Sequence, residues 1–164
     1  MENYDINETL KSIEDQLLLT ESNAGEMYVY RNDNIVSQAI VIYGEYCFAE
    51  IAIMARYLTP SSLYLDIGTN IGYHALTMHN MVNCPVLGFE PHPVHFAVAA
   101  LNTRDKNIKL YNAACSNKSE PIRLNDFDVT TMGNYGEAHR VSDEDNSIEV
   151  ACLKIDELKL QMCD

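Results

Sequence analysis

The stretch Leu63-Tyr-Leu-Asp-Ile-Gly-Thr-Asn-Ile-Gly72 predicts a buried strand that ends in a glycine turn and leads into a helix. Apolar side chains alternate along its first part, and Asp66 stands at the carboxyl end of the strand. Gly68 and Gly72 have no side chains, which lets a ligand touch the backbone of the turn. The free N–H groups of the following helix favour electron-rich ligand atoms. This arrangement is typical of a nucleotide-binding site.

A second apolar run, residues 85–89, ends in Glu90, which lies 22 residues after Gly68. In a strand-helix-strand unit, an acid at the end of the second strand can accept hydrogen bonds from both hydroxyls of a ribose. The spacing therefore predicts ribose recognition by Glu90. The alternative is that the glycines are ordinary turn residues and that Glu90 caps the helix that begins at Pro93.

The composition of the turn indicates which nucleoside is bound. Dinucleotide-binding proteins use G-x-G-x-x-G, which lets the backbone approach a pyrophosphate. Here the pattern is D-x-G-x-N-x-G, with Thr69 and Asn70 after the first glycine. An acid before that glycine would repel a pyrophosphate, but it suits the ammonium group of S-adenosylmethionine, which carries no phosphate. The turn therefore favours S-adenosylmethionine over a nicotinamide dinucleotide.

Three motifs in order along the chain resemble those of the FkbM-type S-adenosylmethionine-dependent methyltransferases. They are Asp66-Ile-Gly-Thr-Asn-Ile-Gly-Tyr-His74, Phe89-Glu-Pro-His-Pro93 and Asn112-Ala-Ala-Cys-Ser116. Upstream, Asn32-Asp33 and Tyr43-Gly-Glu-Tyr46 are similar to the segment before the glycine turn in many members. The resemblance covers residues 28–158. The first two motifs occur in many class I methyltransferases, so the narrower assignment depends on Gly44-Glu45 and on residues 114–116.

The resemblance implies an α/β fold, a Rossmann-like class I methyltransferase sheet with helices on both faces. It implies S-adenosylmethionine as the cofactor and a hydroxyl of a sugar, glycan or small molecule as the methyl acceptor. The residues expected to bind the cofactor are Asp66, Gly68, Thr69, Asn70, Gly72, His74, Glu90, Pro91, Ala114 and Ser116. The turn around residues 114–116 is expected to flank the adenine.

The resemblance also implies that the sheet is incomplete at its C-terminal end. A complete class I methyltransferase has seven strands, and this chain supplies three of them before it reaches residue 164. The chain is then either a fragment or a short form that completes its sheet with another chain. An open apolar sheet edge promotes association, so we expect a homo-oligomer or a partner chain.

The segments before the glycine turn predict two further units. Residues 1–24 are expected to form an amphipathic helix, because apolar side chains recur on one face of residues 6–17. Residues 25–60 are expected to form a β-hairpin, with strands at 27–30 and 35–43, followed by a helix over residues 47–58. Residues 61–164 form the predicted cofactor-binding domain.

Glu45 lies where the predicted hairpin meets this helix, and it is the candidate catalytic residue. An acid here could face the cofactor's amino group or the acceptor hydroxyl. The alternative is that it complements the dipole of the helix.

Beyond the cofactor motifs, residues 122–124 and 148–153 are expected to form two antiparallel strands. The acidic connection between them, residues 125–147, is predicted to be a mobile loop.

Charge and composition exclude several classes of function. The chain has 24 acidic residues against 11 Lys and Arg, a formal net charge of −13, and no basic cluster, so a nucleic-acid partner is not expected. No leader or long apolar run is evident, which predicts a cytoplasmic chain without a membrane span. Neither the five cysteines nor the five histidines show metal-ligand spacing, so no metal is predicted. The remaining alternatives are a non-catalytic binding or assembly module and a nicotinamide-dependent oxidoreductase.

Overall fold

The computed structural model describes residues 5–142, 146–158 and 160. Over these residues the chain is an α/β protein. Its helices are α1 (Ile6–Ser12), α2 (Val36–Tyr43), α3 (Phe48–Ala55), α4 (Tyr73–Val82) and α5 (Pro93–Thr103). Its strands are β1 (Leu17–Thr20), β2 (Met27–Tyr30), β3 (Tyr64–Ile67), β4 (Val86–Phe89), β5 (Ile108–Tyr111), β6 (Ala114–Cys115), β7 (Ile122–Asn125), β8 (Ser147–Val150) and β9 (Cys152–Leu153).

The centre of the fold is a three-stranded parallel sheet in the order β3-β4-β5. Helix α4 connects β3 to β4, and helix α5 connects β4 to β5, so the predicted strand-helix-strand unit is confirmed. Tyr64 pairs with Val86, which in turn pairs with Ile108. This register brings the carboxyl ends of β3 and β4, with the glycine turn and Glu90, to the same edge of the sheet.

The described helices do not cover both faces of this sheet, which corrects the prediction. Two consecutive right-handed crossovers that step in the same direction place both helices on one face, and α4 and α5 contact each other there. The opposite face carries Leu65, Leu87 and Lys109, none of which is buried, together with Phe89, which is buried and stacks on Tyr111. Only one half of a doubly wound arrangement is therefore present in the described residues.

Strand β3 is an edge strand in the described part of the chain, where it pairs with β4 alone. The N–H groups of Tyr64 and Gly68 point to β4, where they donate to the carbonyls of Pro85 and Phe89. The alternation of a strand directs the backbone groups of Ile67 away from β4, and its side chain is 59% exposed. The edge at which the resemblance places further strands is thus open.

The predicted hairpin has the wrong second strand. Residues 27–30 form β2, but β2 pairs antiparallel with β1, and residues 36–43 are helix α2. The side chain of Asp33 stabilises the start of this helix, because its carboxylate accepts hydrogen bonds from the backbone N–H groups of Ile35 (3.2 Å) and Ser37 (2.7 Å). Capping and burial of Val36 and Ile40, four residues apart on one face, outweigh the strand preference of the β-branched residues.

The predicted N-terminal helix over residues 1–24 is also too long. Residues 1–4 lie outside the described residues, α1 ends at Ser12, and a 3₁₀ turn leads into β1. Ile13 and Leu17 are both buried, as their helical spacing suggested, but Leu17 contributes from a strand. Buried residues with helical spacing therefore belong to different elements here, so the spacing alone did not show where the helix ended.

The connection predicted to be a mobile loop packs against the rest of the chain along much of its length. Strands β7 and β8 pair antiparallel as expected, while β6 pairs parallel with β9. Residues 126–136, which we call the strap, cross the core between β7 and β8. Gly133 donates to the carbonyl of Asn32 and accepts from Asn34, and Tyr135 is 3% exposed. These contacts were not visible in the acidic composition of the segment.

One core joins the N-terminal elements to the parallel sheet. It includes Met27 and Val29 of β2, Ile40 of α2 and Met78 of α4, all at most 1% exposed. Among the described residues, no single helix is both long and apolar enough to cross a membrane. Helices α2 and α3 meet the length and composition requirement only as a pair, and that pair is bent by 86°.

Candidate functional site

The glycine turn adopts backbone conformations that explain its residue types. Gly68, Asn70 and Gly72 have φ angles of 83°, 52° and 92°, in the left-handed region where glycine and asparagine are favoured. The N–H groups of Gly68 and Thr69 both donate to the carbonyl of Phe89, at 2.9 and 3.1 Å. The turn is thus fixed to the end of β4 and not only to its own helix.

A third glycine, Gly88 in β4, supports the turn from below. A Cβ atom at this position would lie 2.5 Å from Leu110 Cδ2 and 2.6 Å from Thr69 Oγ1, so a larger residue would force these side chains to shift. Thr69 in turn donates to the carbonyl of Asp66 at 2.9 Å. Sequence reasoning did not identify this role, because a single glycine inside an apolar strand gives no sign of the side chain that packs over it.

A half-open cavity of about 200 Å³ lies against the outer side of this turn. The aromatic rings of Tyr46 and His74 stack beside it, with 6.0 Å between their centroids, and His74 Nε2 lies 3.3 Å from the carbonyl of Tyr46. No Lys or Arg is among its described lining residues. These are Val36, Tyr46, Gly68, Thr69, Asn70, Ile71, Tyr73, His74 and Gly136.

Asp66 lies beneath the turn and is 6% exposed. Its Oδ2 atom is buried and has no hydrogen-bond partner among the described residues. Burial raises the pKa of Asp66, while the nearby His74 and the backbone N–H of Ala75 oppose part of that rise. A buried carboxylate oxygen without a donor is costly.

Glu90 is 4% exposed, and its carboxylate contacts the backbone of the site. Oε2 accepts from the N–H of Asn70 at 2.8 Å, and Oε1 accepts from the N–H of His92 at 2.9 Å. Burial raises the pKa of Glu90, against the effects of His95 and of these two hydrogen bonds. Glu90 therefore makes a contact at the start of α5, as in the alternative interpretation of this residue as a helix cap. Each oxygen keeps a lone pair for a ribose hydroxyl.

Glu45 makes the contact expected of a capping residue. Its Oε2 accepts from the backbone N–H of Phe48, the first residue of α3, at 2.7 Å. Glu45 is not among the residues that line the cavity. This geometry supports the helix-end interpretation of Glu45, and its tentative catalytic role stays a prediction.

The predicted residues therefore fall into three groups. Gly68, Thr69, Asn70 and His74 line the cavity, with Asp66 and Gly72 directly adjoining them in the chain. Glu90 and Pro91 do not line the cavity, although Glu90 bonds to the N–H of Asn70. Ala114 and Ser116 bond through their backbone N–H groups to the carbonyls of Ala151 and Leu153, away from the cavity. Asn112 connects this region to the site, because its side chain donates to the carbonyls of Glu90 and Pro91.

Sequence reasoning missed several residues of the site. Tyr46 and Tyr73 line the cavity; both stand inside the quoted motifs, but they were not among the residues predicted to bind the cofactor. Gly136 reaches the cavity from the strap, and its only signal was the turn-forming sequence Asn134-Tyr-Gly136 inside a segment interpreted as mobile. In the part of the chain that the structure describes, no group of three or more His, Cys, Asp or Glu side chains could hold a metal.

Comparison with known proteins gives a structural similarity and no family. No protein-family model matches the chain, and no curated protein matches it. Among solved structures, one that is similar over 61% of this chain is the "putative transferase PH0793" of Pyrococcus horikoshii, with 20% identity and a TM-score of 0.49. The chain spans 37% of the length of that structure. At this identity and TM-score, the similarity assigns no activity to the chain.

Proposed function

We propose that this chain is the S-adenosylmethionine-binding domain of a methyltransferase, with the methionine part of the cofactor in the cavity beside the glycine turn. The observation that carries the proposal is that the glycine turn lines this cavity and directly follows Asp66, a buried acid whose Oδ2 has no partner among the described residues. The ammonium and sulfonium groups of the cofactor supply positive charge, and the chain's net charge of −13 attracts it.

A nicotinamide dinucleotide fits this chemistry less well. Its pyrophosphate would bring negative charge to a turn that follows Asp66, and no described residue lining the cavity is Lys or Arg. Cavities that enclose a whole small ligand usually measure about 300–1,000 Å³, so the 200 Å³ present suits one end of the cofactor. The nucleoside end would extend toward Glu90.

The proposed reaction is in-line transfer of the sulfonium methyl to a hydroxyl of a sugar or small molecule, the acceptor class that the FkbM-type resemblance implies. The oxygen forms a bond to the methyl carbon as the bond to sulfur breaks, and the hydroxyl proton passes to a base or to water. The chain contributes mainly proximity and orientation. A non-catalytic binding module is the second candidate, favoured by the use of Glu45, the one acid considered as a base, to cap α3.

A thermal-shift assay tests the cofactor. S-adenosylhomocysteine at a hundredfold excess over its dissociation constant should raise the free energy of unfolding by about 2.7 kcal/mol, and NADH at the same concentration should not. A shift given by NADH alone would contradict the proposal. Transfer of labelled methyl from S-adenosylmethionine to a panel of sugar and small-molecule hydroxyls then separates an enzyme from a binding module.

A further inference from the structure

The strap contacts two parts of the chain, the segment between β2 and α2 and the start of α5, which follows Glu90. Its middle is fastened to the segment between β2 and α2 by the two backbone bonds of Gly133, and Asn32 Nδ2 donates to the carbonyl of Val129 at 3.0 Å. Its first residues, Asp126 and Phe127, lie instead against the start of α5. The strap therefore has one attachment to the segment before α2 and a separate one to the start of α5.

Phe127 lies among aromatic rings at this second attachment. Its ring stacks on His92, with 4.2 Å between centroids and 26° between planes, and it lies 4.7 Å from His95 and 4.9 Å from Tyr135. Asp126 Oδ1 lies 3.1 Å from His92 Nε2. His92 is consequently 1% exposed, although its ring has one nitrogen, Nδ1, without a described partner.

The covered surface adjoins the acid that is proposed to hold a ribose. Glu90 accepts from the N–H of His92, and its charge acts on His95, so its carboxylate lies beside this group of rings. The base of a nucleoside is bonded directly to its ribose. A ribose on Glu90 therefore brings a flat aromatic base to the neighbourhood of His92, and in this structure the ring of Phe127 already covers that residue.

We infer that Phe127 is an internal plug of the cofactor site: its ring holds the space beside Glu90 that a nucleobase needs, and a nucleoside ligand binds by exchanging its base for this ring. The inference rests on the proposed function and adds to it. The exchange replaces one stack of rings on His92 with another, so little stacking is lost. The attachment at Gly133 stays in place, so the strap can close again over the ligand.

A tryptophan at position 127 makes the exchange visible, because the chain contains no other tryptophan. In Phe127→Trp, emission should be that of a packed indole without ligand and should shift to longer wavelength when S-adenosylhomocysteine binds. Tyr28→Trp, at a half-buried position in β2 outside the strap, is the matched control and should not respond. Calorimetry on both variants gives the fraction bound.

Removing the ring should release the site. Phe127→Ala should bind S-adenosylhomocysteine roughly two- to tenfold more tightly than the parent, the size of one aromatic stack. If circular dichroism shows that Phe127→Ala does not fold, Phe127→Leu replaces it, because leucine keeps most of the side-chain volume. Phe127→Leu should also bind S-adenosylhomocysteine more tightly than the parent.

Two results would overturn the plug and leave the cofactor proposal standing. One is binding to Phe127→Trp, measured by calorimetry, without a shift in its emission. The other is weaker binding to Phe127→Ala and Phe127→Leu than to the parent. If the parent, Phe127→Ala and Phe127→Leu all fail to bind S-adenosylhomocysteine, the cofactor proposal is refuted, and the plug with it. Binding by the substituted chains alone supports both.

Discussion

Asp66 occupies the site at a cost to folding, because its carboxylate is buried and one oxygen lacks a donor among the described residues. Burial raises the pKa of Asp66 above its ordinary value of 3.8. A carboxyl whose pKa is higher in the folded chain contributes most to stability below the unfolded pKa, and that contribution is lost as the pH rises through the folded pKa. A buried charge that weakens the fold is common where a ligand will later pair with it.

Asp66→Asn should therefore separate stability from binding. The free energy of unfolding in urea should fall less between about pH 4 and about pH 7 in the variant than in the parent, because the buried charge is gone. At pH 7 the variant should be at least as stable as the parent. Its affinity for S-adenosylhomocysteine should drop about ten- to a hundredfold, the loss of one charge-assisted contact. A variant that is clearly less stable at pH 7 would show that Asp66 is a structural residue.

At the scale of single elements, the parallel unit was the part that the sequence predicted well. β3, α4, β4 and α5 follow from short apolar runs, left-handed turn residues and Pro93 at the first position of a helix. The prediction that β3 is a buried strand was wrong, because Asp66 is its one buried residue and Ile67 is exposed on an edge strand. All of these signals are local. Helix α2 was misassigned because its start depends on the side chain of Asp33 and its burial depends on distant residues. The strap was misassigned because Phe127 and Tyr135 pack against α5, which no local pattern reveals.

Helix α3 provides a test of Glu45. If Glu45 only caps this helix, Glu45→Ala should lower the free energy of unfolding by about 1 kcal/mol and leave S-adenosylhomocysteine affinity unchanged. Asp5→Ala is the matched control, since Asp5 caps α1 through the N–H groups of Asn7 and Glu8, far along the chain from the cavity. If Glu45→Ala weakens binding tenfold or more while Asp5→Ala does not, the acid contacts the ligand.

At the scale of the whole molecule, the open edge of β3 is the feature of the described residues that bears on assembly. An unpaired edge with an exposed Ile67 is a template for another strand. We therefore expect concentration-dependent association in analytical ultracentrifugation, reduced by Ile67→Lys. Met81→Lys, at a similarly exposed position on α4, should leave association unchanged. A parent that sediments as a monomer at every concentration would contradict this expectation.

The central claim is that the backbone of the glycine turn binds S-adenosylmethionine, and one calorimetric comparison tests it. Gly68 and Gly25 both have positive φ, at 83° and 98°, and a Cβ atom at either would meet nothing within 4 Å. Gly68→Ala and Gly25→Ala thus carry similar backbone strain, about 1–2 kcal/mol each, but only the first places a methyl group at the cavity. We predict that S-adenosylhomocysteine binds the parent and Gly25→Ala equally and binds Gly68→Ala at least about tenfold more weakly. Affinities within twofold for the two variants, or no binding to the parent, would contradict the account.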